Sequence, residues 1–78
     1  MAVYLLTWSD KKGNIHSKGV MSSFEFMEKA KIKDISHASV TMDTFHDFGY
    51  VESQSRTPGE WARLDRATVD EFGEVVKC

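Results

Sequence analysis

The chain has 78 residues, a net charge of −2 and one cysteine, Cys78. This length predicts one domain, residues 1–78, with little room for a deep catalytic cleft. Apolar residues make up 41% of the sequence, which is enough for a packed core and argues against disorder. The sequence has no apolar run of about 18 residues and no signal-peptide pattern, and a lone cysteine suits a reducing compartment. We therefore expect a cytoplasmic protein without a membrane span.

Charge is distributed unevenly along the chain. Residues 1–33 contain six lysines and three acidic residues, a net +3, whereas residues 34–78 contain four basic and nine acidic residues, a net −5. Such polarity can steer a protein toward a charged partner or toward a second copy of itself. A solvated surface with uneven spacing of charges is the alternative interpretation.

The first two predicted elements form a hairpin. Residues 2–8 are apolar on both alternating faces, which is typical of a strand inside a sheet. Residues 10–14 include Gly13 and suit a short loop with a bulge. Residues 15–21 are more polar and predict a return strand near the sheet edge.

A helix and a third strand are predicted next. The helix spans residues 23–31 or 23–33, and its start carries the spacings of a capping box and a hydrophobic staple, in the pairs Ser22–Glu25 and Met21–Phe26. Residues 35–45 alternate apolar and polar side chains, which predicts a half-buried strand. The predicted fold class is therefore α+β: a β-β-α-β order with a mostly antiparallel sheet.

Residues 57–78 allow two interpretations. Thr57-Pro58-Gly59-Glu60 could cap a C-terminal helix. The residues that would line one face of this helix at helical spacing are Trp61, Leu64, Thr68, Phe72 and Val75. Alternatively, Pro58-Gly59 forms a type II turn and residues 70–73 turn a hairpin between residues 68–69 and 75–76, giving a C-terminal β-meander. The helix is preferred for its periodicity, although Gly59 lowers its propensity.

The sequence contains no motif with catalytic or metal-binding spacing. Asp43, His46 and Asp47 cluster, but in an extended segment His46 and Asp47 point to opposite sides. The serines lack a nucleophile elbow, Cys78 is terminal, and the scattered glycines form no phosphate loop. We expect no enzyme activity, no catalytic residues, no metal and no cofactor. A small enzyme or metal-binding protein is the third hypothesis.

Nine aromatic residues are many for so small a chain. If the C-terminal segment is not a helix, the strand face with Tyr4, Leu6 and Trp8 would stay open, and an open aromatic face is typical of a protein-interaction or dimer site. Arginine beside tryptophan and tyrosine is also enriched at such sites, and the acidic second half suits a basic partner. The predicted partner-binding residues are Tyr4, Trp8, Tyr50, Trp61, Arg63, Asp70 and Glu74.

The sequence therefore favours a non-enzymatic protein-binding module that blocks or bridges another protein, such as a nucleic-acid-binding enzyme, and that could form a homodimer. In size, acidic character and lack of catalytic motifs it resembles small inhibitor and adaptor proteins, including bacteriophage-encoded inhibitors of host or defence enzymes. The alternative is a nucleic-acid-binding module that uses Lys11, Lys12 and Lys18 beside Trp8. An isoelectric point of 5.8 argues against that alternative.

Overall fold

The structure, a computed structural model, describes residues 3–78. In chain order the elements are β1 (Val3–Ser9), β2 (Ile15–Val20), α1 (Phe24–Lys29), α2 (Ile35–Phe48), β3 (Tyr50–Glu52), β4 (Ala62–Val69) and β5 (Val75–Lys77). Within these residues the five strands form one antiparallel sheet in the order β2-β1-β4-β3, and β5 also pairs with β4. The α+β class is confirmed. No helix in residues 3–78 has the length and apolar character needed to cross a membrane.

β1 is the central strand, and the predicted first hairpin is confirmed. Trp8 lies opposite His16 of β2 on one side and opposite Ala62 of β4 on the other. β2 forms the edge of the sheet, as its polar sequence predicts. The predicted first strand began at residue 2, which lies outside the described residues.

The first helix is confirmed, but its ends differ from the prediction. The N-cap is Ser23, and Ser22 Oγ accepts a hydrogen bond from Phe24 N–H at 3.4 Å rather than from Glu25 N–H, so the predicted Ser22–Glu25 capping box does not form within the described residues. Glu25 instead forms an ion pair with Lys18, with 2.7 Å between Oε2 and Nζ. The helix ends before residue 31 because Lys31 has a φ of 62° and Ile32 N–H donates to Met27 O, as in a Schellman motif.

The predicted third strand is wrong, because residues 35–45 belong to α2. Asp34 caps this helix by accepting a hydrogen bond from Ser36 N–H on Oδ1 at 2.8 Å, and Gly49 ends it with a φ of 80°. The buried side chains of α2 are Thr41 and Phe45, one turn apart. The buried side chains of α2 therefore follow helical spacing, and the alternation of apolar and polar residues in 35–45 does not reflect a strand.

The predicted C-terminal helix is also wrong, and residues 57–78 form the meander. Glu60 N–H donates to Thr57 O at 2.9 Å and Gly59 has a φ of 86°, as a type II turn requires. Ala62 and Leu64 are fully buried, with the period of two that a strand imposes. The segment is a strand despite its helical spacing of apolar residues, because β4 forms backbone hydrogen bonds with strands on both of its sides.

Both helices cover the same face of the sheet and form the core with it. The buried residues of this core are Leu6, Phe26, Phe45, Val51, Ala62 and Leu64, with Tyr4 and Trp8 packed against them. The expectation that the Tyr4 face would stay open without a C-terminal helix is therefore wrong, because α2 covers it. The opposite face, which carries Leu5 and Thr7, has no helix of residues 3–78 packed on it.

The cap of α2 provides a test of the helix that replaces the predicted strand. Asp34→Ala should lower the free energy of unfolding by about 1 kcal/mol, because it removes the acceptor for Ser36 N–H. Urea denaturation followed by circular dichroism measures this change. Asp47→Ala, the same substitution in the last turn of α2, should not destabilise the protein, because an acidic side chain there opposes the helix dipole. Equal losses in both variants would contradict the capping role.

Candidate protein-docking surfaces

Tyr4 and Trp8 lie together on the helix-covered face, where each is partly buried. The Tyr4 ring meets the buried Phe45 edge-on, with ring centroids 5.4 Å apart. Tyr4 therefore contributes to the core more than to an open surface.

Trp8 is surrounded by basic side chains. Its ring stacks on His16 at 5.4 Å between centroids, and Nζ of Lys29 lies 4.5 Å from the ring centroid. Lys18 is farther from the ring, at 5.7 Å, and pairs with Glu25. The structure thus brings Trp8 and Lys18 together, while Lys11 and Lys12 lie in the hairpin loop.

Arg63 is the centre of a polar network on the opposite face. It donates from Nε and Nη2 to both carboxylate oxygens of Asp65, at 2.9 and 3.0 Å, and from Nη1 to Glu52 at 2.9 Å. Its guanidinium carbon lies 4.2 Å from the ring centroid of Tyr50. The hydrogen bonds that Arg63 donates to Asp65 raise the pKa of Arg63, while burial opposes this shift.

This network is a fixed part of the fold. Asp65 is only 4% exposed and needs a cationic partner, which Arg63 supplies, with Lys77 Nζ 4.0 Å away. β3 places Tyr50 opposite Asp65 and Glu52 opposite Arg63, so the sheet register assembles the cluster. Arg63 is therefore largely engaged within the protein, whereas Tyr50 keeps an exposed side.

Trp61 lines a pocket of about 280 Å³ at the end of the sheet next to the first hairpin. Ile15 and Pro58 add apolar walls and Arg56 adds a cation. Trp61 is partly buried. Trp61 therefore contributes to a concave surface of the described chain.

Asp70 and Glu74 belong to the turn between β4 and β5, at the other end of β4. Asp70 Oδ1 accepts hydrogen bonds from Phe72 N–H and Glu74 N–H, both at 2.9 Å, and Gly73 N–H donates to Asp70 O at 3.0 Å. These bonds hold the turn in shape. Glu74 is exposed and makes no ion pair within the described residues.

Phe72 is the residue of this surface that the sequence prediction missed, since it was placed on the apolar face of a helix. Its side chain is 83% exposed at the tip of the turn, between Glu71 and Glu74. The signal that could have identified it is the repeat of one pattern, Asp-x-x-Gly, at residues 10–13 and 70–73. Both segments use the aspartate in the same way.

The predicted partner-binding residues therefore do not form one surface. They lie on the helix-covered face, on the opposite face, at the pocket and at the C-terminal turn. α2 brings Asp43, His46 and Asp47 to neighbouring turns, but across residues 3–78 no three His, Cys, Asp or Glu side chains are placed to share a metal ion.

Comparison of the chain with protein-family models, curated proteins and solved structures finds no match in any of the three. The fold and its surfaces define the protein as a small α+β domain with two oppositely charged hairpin turns.

The hydrogen-bond network of Arg63 predicts that the stability of the fold depends strongly on the positive charge of this one side chain. Arg63→Met should lower the free energy of unfolding by about 3 kcal/mol, because it leaves the buried Asp65 carboxylate with Lys77, 4.0 Å away, as its cationic partner. Arg56→Met is the matched control, because Arg56 pairs with the same Glu52 at 3.5 Å but is 83% exposed. It should change stability by less than about 0.5 kcal/mol. Similar losses for both variants in chemical denaturation would contradict the network.

The first turn predicts a pH effect at Asp10. The pKa of Asp10 is lowered from 3.8 to about 2, first by the hydrogen bond with His16 and then by the backbone N–H of Asn14. A lowered folded-state pKa means that the ionised carboxylate stabilises the fold above about pH 4, and that this contribution is lost as the pH falls toward 2. His16→Phe removes the hydrogen bond to Asp10 while keeping a ring beside Trp8, so in an NMR titration it should raise the pKa of Asp10. An unchanged value would assign the shift to the backbone donors.

Proposed function

We propose that the protein is a non-enzymatic, cytoplasmic protein-binding module that docks its C-terminal turn, residues 70–74, on a basic surface of a partner protein. Docking would block or bridge that partner. The general resemblance to small inhibitor proteins favours blocking, and a nucleic-acid-binding enzyme offers the kind of basic surface required.

The observation that carries this proposal is the position of Phe72. A phenylalanine that is 83% exposed at the tip of a turn leaves a large apolar area in water. Burial in a partner's pocket would remove that area from water, and aromatic anchors of this kind dominate the binding energy of many interfaces.

The backbone of the turn is already ordered before any partner binds. The side chain of Asp70 holds the N–H groups of Phe72 and Glu74, and Asp70 N–H donates to Glu74 O at 2.8 Å. A preorganised turn loses less conformational entropy on binding than a flexible segment does. Asp70 therefore supports the binding surface by shaping it.

Glu71 and Glu74 supply the charge that faces outward. Both are exposed and flank Phe72, and residues 70–74 contain no basic residue. Carboxylates around an apolar anchor would steer the turn toward a positively charged patch and disfavour acidic surfaces. The partner we expect thus has an apolar pocket with lysine or arginine at its rim.

Contacts around the first hairpin give less support to the nucleic-acid alternative. His16 and Lys29 already lie against the Trp8 ring, so a base could stack there only by displacing one of them. Lys18 is paired with Glu25. Weak or no retention on heparin resin at low salt is the expected result, and strong retention would favour this alternative.

Phe72→Ser should abolish or greatly weaken partner binding without unfolding the protein, because the side chain has few contacts to lose. The test is affinity capture from the natural host with reducing agent, since Cys78 is exposed. Mass spectrometry then identifies the captured protein, and calorimetry with the purified partner measures the affinity. We expect a loss of about tenfold or more.

Phe24→Ser is the matched control, since Phe24 is 70% exposed but lies on α1. It should bind like the wild type. The double variant Glu71→Gln, Glu74→Gln should slow association and reduce its salt dependence, leaving the Asp70 turn intact. Binding that survives both Phe72→Ser and the double variant would overturn the proposed docking site.

A further inference from the structure

We propose that the pocket beside the first hairpin binds Phe72 of a second copy of this chain, so that molecules associate head to tail. The pocket, defined here by Ile15, Arg56, Pro58 and Trp61, is a different site from the acidic turn that fills it. The proposal shares Phe72 with the proposed function, so its test is designed to separate the two.

The pocket has the size and lining that an aromatic side chain requires. It is a shallow depression of about 280 Å³ that is open to solvent, and the apolar side chains of Ile15, Pro58 and Trp61 line it. Ile15 is 62% exposed although it is β-branched and apolar. An incoming phenyl ring would cover this exposed apolar surface.

Hydrogen bonds connect the two segments of the chain that line the pocket. Ser9, buried at the end of β1, donates its N–H to Trp61 O and accepts a hydrogen bond from Gly59 N–H on Oγ, both at 3.1 Å. These bonds fasten the loop that carries Pro58 and Trp61 to the β1–β2 hairpin. The pocket is therefore held open by the fold, and filling it needs little rearrangement.

Charge at the rim matches charge around Phe72. Arg56 lines the pocket, and Lys11 lies against the loop that carries Pro58 and Trp61, with its Cγ 3.0 Å from where a Cβ on Gly59 would lie. In the incoming molecule, Glu71 and Glu74 flank the phenyl ring. An acidic turn with an aromatic tip thus meets an apolar pocket with a basic rim.

A molecule cannot fill its own pocket. β4 runs antiparallel to β1, with Ala62 opposite Trp8 and Ala67 opposite Val3, so the two hairpin turns lie beyond opposite ends of β1. Seven strand residues separate these ends by roughly 20 Å. The contact must therefore form between molecules, and because the two surfaces differ it is heterologous and can extend into open chains.

Head-to-tail association would also compete with the proposed docking. Phe72 buried in a neighbour's pocket is not accessible to another partner. The self-associated form would therefore not bind the partner until it dissociates, and partner binding would favour the monomer. A single aromatic anchor with two flanking charges predicts a weak contact, weakened further by salt.

A complementation experiment tests the proposal. Sedimentation is measured over a wide concentration range in a Cys78→Ser background, which excludes disulfide-linked species. The Cys78→Ser protein, which keeps both proposed contact surfaces, should show an average molecular mass that rises with protein concentration. Phe72→Ser lacks the aromatic tip, and Ile15→Glu places a carboxylate at the pocket. Each should lower the association constant by about tenfold or more.

An equimolar mixture of these two variants should form one-to-one complexes and nothing larger, because one variant keeps its pocket and the other keeps its Phe72. Phe24→Ser should associate like the wild type. A monomer at every concentration, a mixture that does not associate, or association unaffected by either variant would overturn the proposal.

The same variants separate this proposal from the docking function. Ile15→Glu should leave capture of a partner intact, whereas Phe72→Ser removes it. Loss of capture in Phe72→Ser with no change in sedimentation would overturn self-association and keep docking. Capture that survives both Phe72→Ser and the double variant Glu71→Gln, Glu74→Gln, together with a successful mixture, would keep self-association and overturn docking.

Discussion

The pairing of β1 with β4 is the constraint on which the rest of the molecule depends. It places Leu6 opposite Leu64, and both side chains are completely buried beneath the two helices. The two strands are almost 60 positions apart in sequence, so this contact carries a large cost in loop-closure entropy that core burial must offset. Its register also determines that the first hairpin turn and the C-terminal turn leave the sheet at opposite ends.

Local chemistry explains which elements could be predicted from the sequence. The first hairpin depends on Asp10 and Gly13, whose roles need only neighbouring backbone groups. Residues 70–73 have the same pattern, but the helical spacing of Trp61, Leu64 and Phe72 competed with it. Strand pairing with β1 decides between these structures, and no local pattern reports a contact of such long range.

The third predicted strand failed for a different reason. Its local signals were present, because Asp34 and Gly49 are ordinary helix-end residues, but alternation of apolar side chains was given more weight. In the candidate site, the sequence predicts Asp70 and Glu74 as binding residues but places Phe72 on the apolar face of a C-terminal helix. The role of Arg63 depends on the register of β3 against β4, which places Glu52 and Asp65 beside it. No local sequence pattern indicates this register.

The two turns show how one backbone design can present opposite chemistries. In each, an aspartate side chain accepts hydrogen bonds from the residues two and four positions later, and a glycine with positive φ completes the turn. The side chains of the two middle positions take no part in these hydrogen bonds. Lys11-Lys12 occupy them in the first turn and Glu71-Phe72 in the second. Because the sheet separates these turns, a basic turn and an acidic turn lie at opposite ends of β1, and the exposed Phe72 belongs to the acidic one.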